Sequence, residues 1–158
     1  MSLIKKLNGN TDIETVFIKV LGSQRDAQGE ESKIELFTQG RCYEKNGVQY
    51  ITYQEAEISG MEGATTLLKI YSDHVVLVRL GTIEQRQEFR VGQCNLSSYS
   101  TPFGTMKMGV QTTRLSINRA DGGGRVTGII IDYQLEIDGQ WQSANTLSVT
   151  LQGDKYGH

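Results

Sequence analysis

Apolar and polar residues alternate along most of this chain with a period of two, as in strands that bury one face. Val16, Ile18 and Val20, set against Phe17 and Lys19, predict a first strand over 13–21, followed by a polar loop over 23–31. A long second strand is expected over 32–45, with Ile34 and Leu36 on one face. Asn46-Gly47 then predicts a type I′ hairpin turn, whose central residues both need positive φ, and a return strand over 48–58. Further strands are predicted over 65–71, 74–80, 85–91 and, briefly, within 92–100. A long strand over 105–118 and another over 125–137 follow, the second holding Ile129, Ile131, Tyr133, Leu135 and Ile137 in strict alternation. Asp138-Gly139 repeats the type I′ signal before a last strand over 141–151, whereas residues 1–12 and 152–158 are expected to be loosely ordered. No window shows helical periodicity, so the chain reads as an all-β antiparallel meander.

Glycine separates a barrel from a sandwich. Each of three long strands holds one interior glycine, Gly40, Gly109 or Gly128, and such a glycine marks a bulge or a sharp bend at a barrel corner. In the strand over 105–118 the apolar residues sit at even positions (Met106, Met108, Val110) and then at odd ones (Leu115, Ile117). One register change near Thr112-Thr113 restores a continuous face, so a β-bulge is expected there. The only proline, Pro102, stiffens the Thr101–Gly104 turn that leads into this strand. Closure removes exposed edges from a many-stranded sheet, which favours a barrel of about 8–10 strands over an open sheet.

Composition narrows the class. The 158 residues are most simply one domain, with 37% hydrophobic and 22% charged residues, as in ordinary globular chains. A net charge of −2 argues against a nucleic-acid partner, since that affinity comes from clustered Lys and Arg. No apolar run approaches the roughly 20 residues of a membrane-spanning helix, and the start of the chain has no signal-peptide core, so no membrane partner and a cytoplasmic location are expected. Cys42 and Cys94 are then expected to be reduced and buried.

Familiar catalytic chemistry is missing. The two histidines are His74, expected in an exposed turn, and the terminal His158, and there is no GxSxG elbow, CxxC or HExxH. No catalytic residue, metal or cofactor is therefore assigned. Gly122–Gly128 resembles a phosphate loop superficially but lacks GK[ST], and a hairpin turn is the better reading. One polar constellation stands out. Tyr53 and Glu55 share a face with Ile51, Lys69 shares one with Leu67 and Tyr71, and Arg79 shares one with Val75 and Leu77. Should these faces coincide inside a barrel, Tyr53, Glu55, Lys69 and Arg79 form a structural network or a polar ligand pocket, since buried charges must be paired. Should they point outward, they are cross-strand ion pairs. Val75–Leu80 is apolar on both faces, which leaves that choice open and hints at a subunit contact, hence a homodimer.

Four stretches resemble the YwiB-like family of uncharacterised bacterial proteins: TQGRCYEKNGVQYITYQE (Thr38–Glu55), TTLLKI (Thr65–Ile70), VRLG (Val78–Gly81) and SYSTPFGTMKMGVQTT (Ser98–Thr113). Leu80 and Phe103 stand where that pattern has an aromatic and a tyrosine. The resemblance implies a calycin-type, lipocalin-like β-barrel in the bacterial cytoplasm. Its motif residues here include Tyr53, Glu55, Lys69, Arg79, Tyr99, Thr101, Pro102 and Gly104, with no role to inherit. The leading expectation is a non-enzymatic barrel binding a small, partly polar ligand through Tyr53, Glu55, Lys69 and Arg79, with Tyr99 and Thr101 as further candidates. The alternatives are a homodimeric interaction module acting through its outer face, and an enzyme using Glu55 with Lys69 and Arg79.

Overall fold

Ten strands of a computed structural model, which describes residues 6–7 and 11–153, form one antiparallel sheet coiled nearly into a barrel. The alternating segments fold as strands: β3 (Glu14–Asp26), β4 (Glu31–Lys45), β5 (Val48–Gln54), β6 (Ala64–Ile70), β7 (Val75–Gly81), β8 (Gln85–Phe89), β9 (Cys94–Thr101), β10 (Gly104–Arg119), β11 (Val126–Ile137) and β12 (Gln140–Gly153), of which β3, β4, β10 and β12 run longer than expected. They are preceded by β1 (Lys6–Leu7) and β2 (Thr11–Asp12), which pair with each other in a separate small sheet. The expectation of loose order over 1–12 and 152–158 otherwise falls largely outside the described residues. Among the described residues, no helix is long and apolar enough to cross a membrane.

Both type I′ turns form, with φ of 54° and 80° at Asn46-Gly47 and of 50° and 83° at Asp138-Gly139. The register of β10 against β11 shifts between Thr112 and Arg114, which places the β-bulge at Thr113. Gly40 marks a close approach: a Cβ there would sit 2.4 Å from the Thr52 carbonyl oxygen and 2.5 Å from Ile18 Cδ1. The glycine-rich segment after β10 is a hairpin turn. Three local expectations change. The return strand stops at Gln54, and Glu57–Ser59 forms a 3₁₀ turn closed by Gly60 at φ 77°. Cys94 is exposed, because it has the outward parity of β9, whereas Cys42 is buried. His74 is partly covered, its ring stacked on Tyr71 at 4.2 Å and its Nδ1 paired with Asp73.

Around the barrel the order is β8-β7-β6-β5-β4-β3-β12-β11-β10-β9, so the first and last long strands lie side by side. Consecutive strands β8 and β9 are the two edges. Their backbones meet through a reciprocal pair of hydrogen bonds between Glu84 and Ser100, each 2.9 Å, while Gly92 N–H donates to Thr112 O of β10 at 3.1 Å. Between these points side chains close the seam. Gln87, fully buried, donates to Asn95 O at 3.2 Å and accepts from Ser97 Oγ at 2.7 Å.

The inner face divides along the barrel axis. At one end Val16, Ile18, Ile51, Leu68, Ile70, Val75, Ile129, Ile131 and Val149 fill the interior as a continuous core. Further along β3, β5, β7 and β11 the filling stops, and the interior opens into a cavity.

Candidate functional site

That cavity has a volume of about 450 Å³. Its walls are the continuation of the core's own alternation: Val20 and Gly22 beyond Ile18 on β3, Tyr53 beyond Ile51 on β5, Arg79 beyond Leu77 on β7, and Tyr133 and Leu135 beyond Ile131 on β11. Met106 and Met108 of β10 and Leu147 of β12 add apolar wall, and Tyr99 of β9 lies among them. Ser59, Gly60 and Met61, at the end of the 3₁₀ turn, line the outer end together with Ile34 of β4. A smaller extension of about 140 Å³ shares Arg79, Tyr99, Met108 and Tyr133 with it and reaches Gln85 and Gln87 at the β8–β9 seam.

Four of the six residues singled out from the sequence meet in this space: Tyr53, Glu55, Arg79 and Tyr99. Lys69 does not. The inner face of β6 is Ala64, Thr66, Leu68 and Ile70, so Lys69 has outward parity, with Val76 and Tyr50 as its cross-strand partners. Thr101 is not in the cavity wall either: its Oγ1 accepts the Phe103 N–H and donates to Gly104 O, which occupies it in the β9–β10 turn. On the outer face of β7, Val76 is only 2% exposed within the single chain, whereas Leu80 is 61% exposed.

Among the described residues, charge inside the cavity is confined to Glu55 and Arg79, whose side chains are 3% and 16% exposed. Arg79 Nε lies 3.8 Å from Glu55 Oε2, and Thr66 Oγ1 donates to that same oxygen at 2.5 Å. The guanidinium also donates through Nη1 to Gln85 Oε1 at 3.0 Å. Gln85 Nε2 in turn reaches Ser97 Oγ at 3.4 Å, and Ser97 Oγ bonds Gln87. One polar chain thus runs from the carboxylate in the cavity, across β6, β7 and β8, to the seam with β9. Burial pushes the Tyr53 phenol well above its ordinary value, helped by the Glu55 charge and opposed by Arg79. Tyr133 is likewise raised by burial, again against the pull of Arg79. Both phenols are therefore neutral hydrogen-bonding groups. Thr66, Gln85, Gln87 and Tyr133 were not singled out from sequence, although Tyr133 stands out as the one hydroxyl in the row Ile129, Ile131, Leu135, Ile137.

The sequence matches a family described as Domain of unknown function (DUF1934) over residues 18–149. The chain belongs to this family. A curated relative, described as uncharacterized beta-barrel protein YwiB of Bacillus subtilis (strain 168), is 23% identical over 125 residues, which cover 79% of this chain and 84% of the relative. The crystal structure of the ywiB protein from Bacillus subtilis superposes with a TM-score of 0.69 at 20% identity, covering 87% of this chain and 92% of that one. At that identity the likeness establishes the fold, an all-β barrel. The family match includes every strand that contributes to the cavity except the extreme ends of β3 and β12.

Proposed function

We propose that this protein is a binding protein of calycin-type, lipocalin-like construction, acting in the cytoplasm, whose barrel takes up one small, partly polar ligand. The observation that carries this reading is the unfilled half of the interior, about 450 Å³ bounded by apolar walls around a few convergent polar groups. Pockets of roughly 300–1,000 Å³ with that make-up are the usual form of small-molecule sites. The free thiols of Cys42, buried and accepting a hydrogen bond from Gln49 Nε2 at 2.6 Å, and of Cys94 are what a reducing compartment maintains. Glu55 does not assemble with both Lys69 and Arg79, so the geometry lends the enzymatic alternative no support. Native mass spectrometry of the protein taken gently from cells, followed by thermal-shift screening against metabolites, tests the reading. Bound mass and stabilising hits are expected for the wild type and are lost in a cavity-filling Leu147→Trp variant. Hits that survive in that variant place binding elsewhere and sink the proposal.

A second reading, a homodimeric interaction module, is favoured by a different surface. Phe17 and Phe37 are 41% and 69% exposed on the outer face of neighbouring strands β3 and β4 and border a shallow groove with Gln39 and Gln152. Light scattering after size exclusion checks it: a wild-type dimer that becomes monomeric in Phe37→Ser supports this reading, and a monomeric wild type removes it.

A further inference from the structure

Resting on the binding reading above, the charge inventory of the cavity narrows the chemistry of its occupant. The walls carry one carboxyl side chain, Glu55, and one guanidinium, Arg79, and no other Asp, Glu, Lys, Arg or His lies among the described residues lining the cavity. The two face each other through Arg79 Nε, so the positive charge is offset inside the protein before any ligand arrives. Arg79 is not thereby exhausted as a donor. Nε and Nη1 are engaged with Glu55, Thr66 and Gln85, while Nη2 has no hydrogen-bond partner among the described residues. Its N–H groups share the cavity with the phenols of Tyr99 and Tyr133. The polar corner is therefore rich in donors and close to zero in net charge.

We infer that the ligand is an uncharged amphipathic molecule, an apolar chain or ring ending in a hydrogen-bond-accepting group such as an amide or ketone carbonyl. A ligand carboxylate would set a second negative charge beside a guanidinium and a Glu55 side chain that are only 16% and 3% exposed, and one of the two negative charges would remain uncompensated. A ligand ammonium would meet Arg79 itself and find its possible partner Glu55 already engaged by Thr66. A carbonyl oxygen avoids both costs and accepts from the free edge of the guanidinium. Met106, Met108, Leu135 and Leu147 enclose the apolar part, and the two unbranched methionines can adjust to its outline.

The test holds the apolar body constant and changes the head group. Octanamide, octanoate and octylammonium, with the matched phenylpropyl set, are titrated calorimetrically into wild-type protein, Glu55→Gln and Leu147→Trp at neutral pH. The amide is expected to bind the wild type at least about tenfold more tightly than the carboxylate, the scale of one uncompensated buried charge. In Glu55→Gln, which keeps the shape but removes the offsetting charge, the carboxylate is expected to gain about tenfold relative to the amide. Octanoate binding the wild type as tightly as octanamide overturns the inference and leaves the binding reading standing, provided Leu147→Trp abolishes it. Failure of every probe, with wild type and Leu147→Trp indistinguishable, overturns both.

Discussion

The residue that organises the interior is Arg79, because it touches both the buried carboxylate and the seam. Its removal strands Glu55, and an uncompensated buried charge costs far more than an intact ion pair contributes. Arg79→Leu is therefore expected to lower stability by about 3 kcal/mol, and Glu55→Leu in the same chain to recover part of that loss, as read by urea denaturation of the singles and the double. At high pH the buried phenols take over. Tyr53 and Tyr133 have raised pKa values, so the folded state keeps protons that the unfolded chain has lost, and stability falls as pH rises. The decline should begin near about pH 10, the ordinary tyrosine value, and continue toward the raised ones. Tyr133→Phe, which removes one of the two phenols, should show a shallower decline in melting temperature over the same interval. The errors made from sequence also belong to single residues. Leu67 and Leu68 give β6 an apolar residue on each face, so parity alone could not tell that Lys69 points outward. Thr101 has the inward parity of Asn95, Ser97 and Tyr99, but it sits where the strand ends and its hydroxyl is consumed by the turn.

Elements were more legible than faces. Asn46-Gly47 and Asp138-Gly139 specify their hairpins through local backbone conformation, and the Thr113 bulge is visible as a shift of parity in β10. The order of strands is a matter of which edges meet, and alternation within one strand says nothing about that. Hence the seam could not be read: β8 and β9 follow each other closely, yet they are the pair without a ladder. In its place Gln87 supplies both a donor and an acceptor across the gap. Gln87→Leu should keep the volume and remove those bonds, leaving Asn95 O without its side-chain donor and Ser97 Oγ with Gln85 alone. Hydrogen–deuterium exchange is expected to rise in β8 and β9 while β3, β4, β11 and β12 remain protected. Uniform loss of protection would mean that the seam and the rest of the barrel open together.

At the scale of the whole molecule, the two ends of the barrel are packed differently. One end is close-packed, and the other lines a cavity with apolar side chains. Ile131 and Leu135 lie on the same face of the same strand and differ in which end they serve. Ile131→Ala is expected to cost about 3–4 kcal/mol, the usual range for a new void in a rigid core. Leu135→Ala, which enlarges a cavity already present, should cost about 1 kcal/mol, and thermal denaturation of the two variants would compare them directly. Equal losses would mean that the cavity end is as tightly supported as the core.

The pairing of β3 with β12 carries a last consequence, for the order of assembly. These strands register from Asp26 against Ser143 to Val16 against Gly153, so the first long strand waits for the last one before its second edge is covered. During synthesis that edge is a ready template for another chain, flanked by the exposed side chains of Phe17 and Leu21. Docking of β12 covers that edge, so slower docking is expected to leave the chain open to such pairing for longer.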